Sequence, residues 1–127
     1  MGQSLSKVYL HIVFSTKGRR LFISPNIEKK LHGYISSICQ NHGCFVHAIG
    51  GIEDHIHILI EQPRSMTISK IVELIKSNSS KWIKSQNREY SIFSWQSGYG
   101  VFSVDQSTYH AVKKYIANQK EHHKGRD

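Results

Sequence analysis

The sequence predicts an α+β fold of the ferredoxin-like or RRM-like kind: an antiparallel sheet with helices on one face and a further helix at the C-terminal end. Three observations predict it. Apolar residues recur with period two in short runs and with helical spacing in longer ones. The elements follow as strand, helix, strand, strand, helix, strand, helix, and the first six match a split βαβ arrangement. The length, 127 residues, suits one domain spanning 1–127 around a single core.

Residues 7–15, KVYLHIVFS, alternate, with Val8, Leu10, Ile12 and Phe14 on one face and Lys7, Tyr9, His11 and Val13 on the other. This is a half-buried strand, followed by the basic loop TKGRR. Ser24-Pro25 reads as an N-cap with proline at the first helical position. Ile27, Leu31, Tyr34, Ile35 and Ile38 keep helical spacing up to Gly43, a helix-ending glycine. CFVHAI (44–49) and DHIHILIE (54–61) read as antiparallel strands joined across Gly50-Gly51.

Pro63 stops the second of these, and a second helix spans about 67–85 with Ile68, Ile71, Val72, Ile75 and Trp82 on one face. Its other face carries Lys70, Lys76, Lys81 and Lys84, a solvated surface that could also meet phosphates. Residues 91–104, SIFSWQSGYGVFSV, predict a short strand plus loops, and Ser103 or Asp105 can cap a final helix running to about 123. The first two helices cover one sheet face, leaving the other for the last helix or a ligand.

The chain carries 17 Lys+Arg against 9 Asp+Glu, a net charge of +8. That surplus favours a polyanionic partner, nucleic acid ahead of an acidic membrane surface. No stretch reaches the length of a membrane span. Cys39 and Cys44 form neither a disulfide framework nor a CxxC pair, which fits small core thiols in a reducing cytoplasm.

The chemistry concentrates in EDHIHILIE, Glu53 to Glu61. Ile56, Ile58 and Ile60 form a core face, so His55 and His57 project side by side from the other. Either histidine alone reads as a satisfied buried or surface group; the pair can bind one divalent ion without completing its shell. In TYHAVKKYIANQKEHH, Tyr115 and Gln119 are four apart and share a helix face. Two nitrogens and an amide oxygen tolerate Mg²⁺, Mn²⁺ or Zn²⁺ and leave positions open for water or phosphate oxygens. His122 and His123, one turn further, are stronger intrinsic ligands than Gln119 and compete with it.

GGIEDHIHILIE, WQSGYGVFSV and VKKYIANQKEHH, with the opening YLHIVFSTKGRR, resemble the motifs of the single-tyrosine HUH transposases of the smallest bacterial insertion sequences and their REP-associated relatives. The likeness covers nearly the whole chain; Ser97, Val101 and Asp105 depart from common family residues at positions without chemistry. The resemblance implies that His55 and His57 are metal ligands, Gln119 the third ligand and Tyr115 the nucleophile, on a catalytic C-terminal helix. It implies Mg²⁺ or Mn²⁺ as cofactor, single-stranded DNA with hairpins near element ends as substrate, and a homodimer with composite active sites in a bacterial cytoplasm. The tyrosine helix can serve its own subunit's histidines or its twin's.

The reaction this predicts is attack by Tyr115 on a backbone phosphate, giving a 5′-phosphotyrosine and a free 3′-hydroxyl. A free tyrosine has a pKa of about 10, so about one in a thousand is phenolate at neutral pH, and activation falls largely to the metal. Lys113 and Lys114 are candidates for stabilising charge, and Lys17, Arg19 and Arg20 for contacting DNA, with a solvated loop as the equal alternative. Two rival functions stay open: a non-catalytic single-stranded nucleic-acid-binding protein derived from such a transposase, and a nuclease using water.

Overall fold

A computed structural model describes residues 5–119. Its strands are β1 (Tyr9–Ser15), β2 (Phe45–Ile52), β3 (His55–Glu61) and β4 (Gly100–Val104), and its helices α1 (Pro25–Asn41), α2 (Ile68–Gln86) and α3 (Tyr109–Ala117). The sheet is antiparallel in the order β2-β3-β1-β4, which is the ferredoxin-like order the alternation predicted. Short 3₁₀ turns at Lys17–Arg19 and Arg88–Tyr90 complete the elements.

The period-two pattern sets the two faces. Leu10, Ile12 and Phe14 of β1 with Ile56, Ile58 and Ile60 of β3 pack under Ile27, Leu31 and Ile35 of α1 and Ile71, Val72 and Ile75 of α2. At about 25 cal/mol per Å² of apolar surface removed from water, these branched side chains supply most of the driving force for the fold. The opposite face has its own smaller cluster, Tyr9, Leu59, Val104 and Ile116, where α3 lies on the sheet. Every residue of β3 from His55 to Ile60 is therefore buried, covered on both faces.

Several boundaries depart from the sequence reading. Gly50 and Gly51 do not form the hairpin turn; both lie inside β2, and the chain reverses at Glu53-Asp54. The reason is packing: a Cβ on Gly50 would collide with the main-chain carbonyl oxygen of Ile116, so only glycine lets α3 settle there. Ser24 precedes α1 in extended conformation with Pro25 behind it, but its hydroxyl bonds the Tyr90 hydroxyl at 3.1 Å instead of capping. Thr67 does cap α2, accepting from the Lys70 amide at 3.2 Å. Neither Ser103 nor Asp105 caps the last helix: Ser103 is in β4, Asp105 starts a turn, and α3 begins after Thr108. Val8 is also exposed and precedes β1, outside the core face assigned to it. Cys39 and Cys44 are buried free thiols, as expected. The last helix does not run unbroken to about 123: α3 ends at Ala117, where Asn118 leaves helical conformation, and residues 120–123 lie outside the described residues.

Candidate active site

β3 carries His55 and His57 to one face with ring centroids 5.0 Å apart. Each ring is oriented through its Nδ1. His55 Nδ1 lies 2.8 Å from Asp54 Oδ1, and the other oxygen of that carboxylate receives the Arg19 Nε at 2.9 Å. Burial pushes the Asp54 carboxyl upward, but hydrogen bonds from His55 and Arg19, with their charges, outweigh it and hold the carboxyl below its usual range. An ionised carboxylate only accepts, so His55 Nδ1 carries a proton. His57 Nδ1 meets His11 Nε2 at 2.8 Å. Burial holds the His11 imidazole below its ordinary value, in the neutral form that can accept from His57.

The histidines open onto a cavity of about 310 Å³ whose lining includes Arg19, Gln96, Ser97, Gly98 and Tyr99. The glycine-rich loop forming one wall is fixed from three directions. Trp95 is buried and donates from Nε1 to Ser79 Oγ at 3.0 Å. Lys76 Nζ donates to the carbonyls of Gln96 (2.6 Å) and Gly98 (2.9 Å), and the Gly18 amide donates to Gln96 Oε1 at 3.2 Å.

From the last helix, Tyr115 places its ring edge-on to His57, centroids 5.9 Å apart, and 6.5 Å from the His11 ring. Strand pair and terminal helix thus meet within one chain, with Tyr115 still 38% exposed. Gln119 is buried, donates from Nε2 to the Tyr115 carbonyl at 3.1 Å, and leaves its Oε1 without a hydrogen-bond partner among the described residues. It does not line the histidine cavity; it lines a neighbouring one of about 270 Å³ with Gly50 and Gly51, the strand-register partners of His57 and Ile56.

The donor types fit a divalent ion, although the two histidines and Gln119 line separate cavities. Two imidazole rings oriented through Nδ1, with a buried amide oxygen that has no hydrogen-bond partner among the described residues, are the kinds of donor a divalent cation takes. His122 and His123, the rival ligands, lie outside the described residues.

Of the basic residues singled out, Arg19 is drawn into the site by Asp54, at a φ of 57° beside Gly18 at 65°. Arg20 lies over the Phe22 ring at 5.2 Å, and Lys113 over Tyr109 at 5.7 Å. Lys17 and Lys114 are exposed, and neither Lys17, Arg20, Lys113 nor Lys114 lines the histidine cavity. Sequence reasoning missed Asp54, and it put Lys76 on a solvated helix face that could meet phosphates instead of against the Gln96 and Gly98 carbonyls. Asp54 could have been found as the acidic residue directly before the first histidine; Lys76 had no local signal, being one of several lysines on a helix.

The chain has a ferredoxin-like sheet with two histidines and a tyrosine-carrying helix on one face, and comparison with known proteins gives the class to which it belongs. A family model described as "Transposase IS200 like" matches residues 4–119, so the chain belongs to the IS200-like transposase family. The transposases for insertion sequence element IS200 of Salmonella typhimurium and Salmonella typhi are each 28% identical over 123 residues, covering 90% of this chain and 78% of theirs. A crystal structure from Deinococcus radiodurans, described as of a candidate transposase, superposes with a TM-score of 0.73 at 22% identity, covering 94% of this chain and 96% of that one. A REP-associated tyrosine transposase bound to a REP hairpin gives 0.67 at 15% identity, covering 91% and 70%. At those identities the two structures support the fold.

Proposed function

We propose that the protein is a metal-dependent single-stranded DNA transposase that cleaves and rejoins strands through a 5′-phosphotyrosine on Tyr115. The observation that carries this reading is the Tyr115 ring packed against His57, on a helix seated directly over the histidine strand. Mg²⁺ or Mn²⁺ held by His55, His57 and Gln119 would draw charge from the phosphate's non-bridging oxygens.

The chain's own groups do the rest. Tyr115 Oη attacks phosphorus and loses its proton to solvent or a neighbouring base. The bond from phosphorus to the 3′ oxygen breaks, that oxygen takes a proton, and the 5′ phosphate remains on the tyrosine. The phosphodiester bond is conserved in the tyrosyl ester, so attack by a 3′-hydroxyl reverses the step without ATP. Arg19 and Asp54 orient His55, and His11 orients His57. The partly exposed Tyr99 offers a face on which a flanking base can stack. Lys113 and Lys114 lie on the tyrosine helix, where phosphate oxygens approach, and Lys17 and Arg20 flank the cavity's Arg19.

One nucleophilic tyrosine per chain cuts one strand at a time, so strand exchange calls for two copies, a homodimer with the tyrosine helix in its own or its partner's site. DNA hairpins near element ends are the recognised substrate in this reading, supported by the REP-hairpin complex of the structural relative. Incubation with single-stranded DNA and Mn²⁺ should give a protein–DNA adduct that survives denaturing electrophoresis and is lost in Tyr115→Phe. Cleavage without an adduct would make it a hydrolase, and binding alone a non-catalytic single-strand binder; either outcome rejects the proposal.

A further inference from the structure

Nine residues make up α3, and Ile116 is its single fully buried member. A helix this short is marginal alone, and Thr108 gives it no side-chain cap. At Ile116 the helix backbone rests on Gly50 of β2. That contact seats the C-terminal half of α3, Val112 and Tyr109 add apolar packing against the sheet, and the N-terminal end has a second anchor of its own.

That anchor is polar. The Tyr109 hydroxyl lies 2.6 Å from His47 Nδ1, and His47 Nε2 lies 3.0 Å from Glu61 Oε1. The Glu61 carboxylate accepts from His47 Nε2, and His47 Nδ1 is bonded to the Tyr109 hydroxyl. The chain of bonds spans α3, β2 and β3. Tyr9 packs against both rings, 4.9 Å from Tyr109 and 5.2 Å from His47, and the His47 side chain is only 13% exposed.

We propose that His47 and Glu61 are positioning residues which, through Tyr109, latch the N-terminal end of α3 to the sheet and so set the angle at which Tyr115 meets His57. Tyr109 and Tyr115 are six residues apart, about 9 Å along the helix axis. Latch and Gly50 contact together define both the line of the helix and its rotation. The consequence for catalysis rests on the role proposed for Tyr115; the anchoring of α3 does not.

The test compares the full-length protein with Tyr109→Phe and His47→Ala by amide hydrogen exchange without metal or DNA, then by adduct formation with single-stranded DNA and Mn²⁺. Loss of the latch should speed exchange of the α3 amides about three- to tenfold, the weight of one hydrogen bond, with β1 and β3 amides unchanged. The adduct rate at saturating DNA should fall by a similar factor while DNA and Mn²⁺ affinities hold. Unchanged α3 exchange, or faster exchange spread equally over the sheet, would overturn the latch. Altered exchange in α3 with no adduct even in the wild type would keep the latch and reject the transposase reading.

Discussion

The Nε2 of His11 and the Nδ1 of His57 lie 2.8 Å apart, joining β1 to β3 diagonally across the face beneath α3. His57 thus has its tautomer fixed by a third histidine instead of a carboxylate. A neutral partner accepts more weakly than an ionised one, which makes His57 the softer half of the pair.

His11→Ala should therefore weaken Mn²⁺ binding by roughly 10–100-fold, the usual loss when a ligand's orienting partner is removed. His11→Gln, which keeps an acceptor, should recover part of it. Calorimetric titration of the two variants checks this; equal affinity in His11→Ala and wild type would show that His57 orients itself.

Acid should act through the same ring. Burial lowers the His11 value below 6.5, so the unfolded chain binds that proton more readily than the folded one. Stability from this group is complete above pH 6.5 and is lost as pH falls from there through the lowered folded value. Urea midpoints of the metal-free protein should decline across that window, and the decline should shrink in His11→Ala.

Asp54 sits between Arg19 and His55, one oxygen to each. Asp54→Asn keeps the shape but removes the charge that orders both partners. Mn²⁺ affinity should fall roughly 10–100-fold. Arg19→Ala should cost far less, because its side chain is 64% exposed and such pairs contribute about 0.2–1 kcal/mol. Equal losses in the two variants would mean that Arg19, not Asp54, governs His55.

Much of this site is legible in the chain, for reasons that differ by residue. Period two alone puts His55 and His57 on one face, because the isoleucines between them must go to the core. The four-residue spacing of Tyr115 and Gln119 reads as one helix face, but α3 ends at Ala117, and it is the Gln119 side-chain Nε2 that reaches back to the Tyr115 carbonyl at 3.1 Å. Gly50-Gly51 misleads because paired glycines imitate a two-residue hairpin turn; what requires Gly50 is a helix over sixty residues away in the chain. Lys76 and Trp95 are illegible for a similar reason, since their partners lie in other elements. Local pattern writes faces and spacings, and it is silent about which elements touch.

Gly50→Ala tests that long-range requirement. The added methyl would strike the Ile116 carbonyl oxygen, which belongs to backbone and cannot swing aside. Overpacking of this kind costs about 1–3 kcal/mol. Since α1 and α2 pack on the other sheet face, the loss should fall on α3: adduct formation should drop steeply while the thermal transition stays cooperative. A variant with wild-type activity would show that α3 can shift along the sheet without harm to the site.

Lys76 provides the last prediction, because its charge has two competing uses. Its ammonium is pulled down by burial and spends its donors on the Gln96 and Gly98 carbonyls, beside the histidine cavity. If that is its work, Lys76→Met should loosen the loop and cost about 1–2 kcal/mol of stability. Single-stranded DNA affinity should fall by the same factor at every salt concentration, since no phosphate contact is lost. Lys17→Met and Arg20→Met, if they touch phosphate, should instead lower the slope of log K against log salt by about 0.7 each. A reduced slope in Lys76→Met would assign this lysine to the DNA backbone and leave the loop held by Trp95 and Gly18.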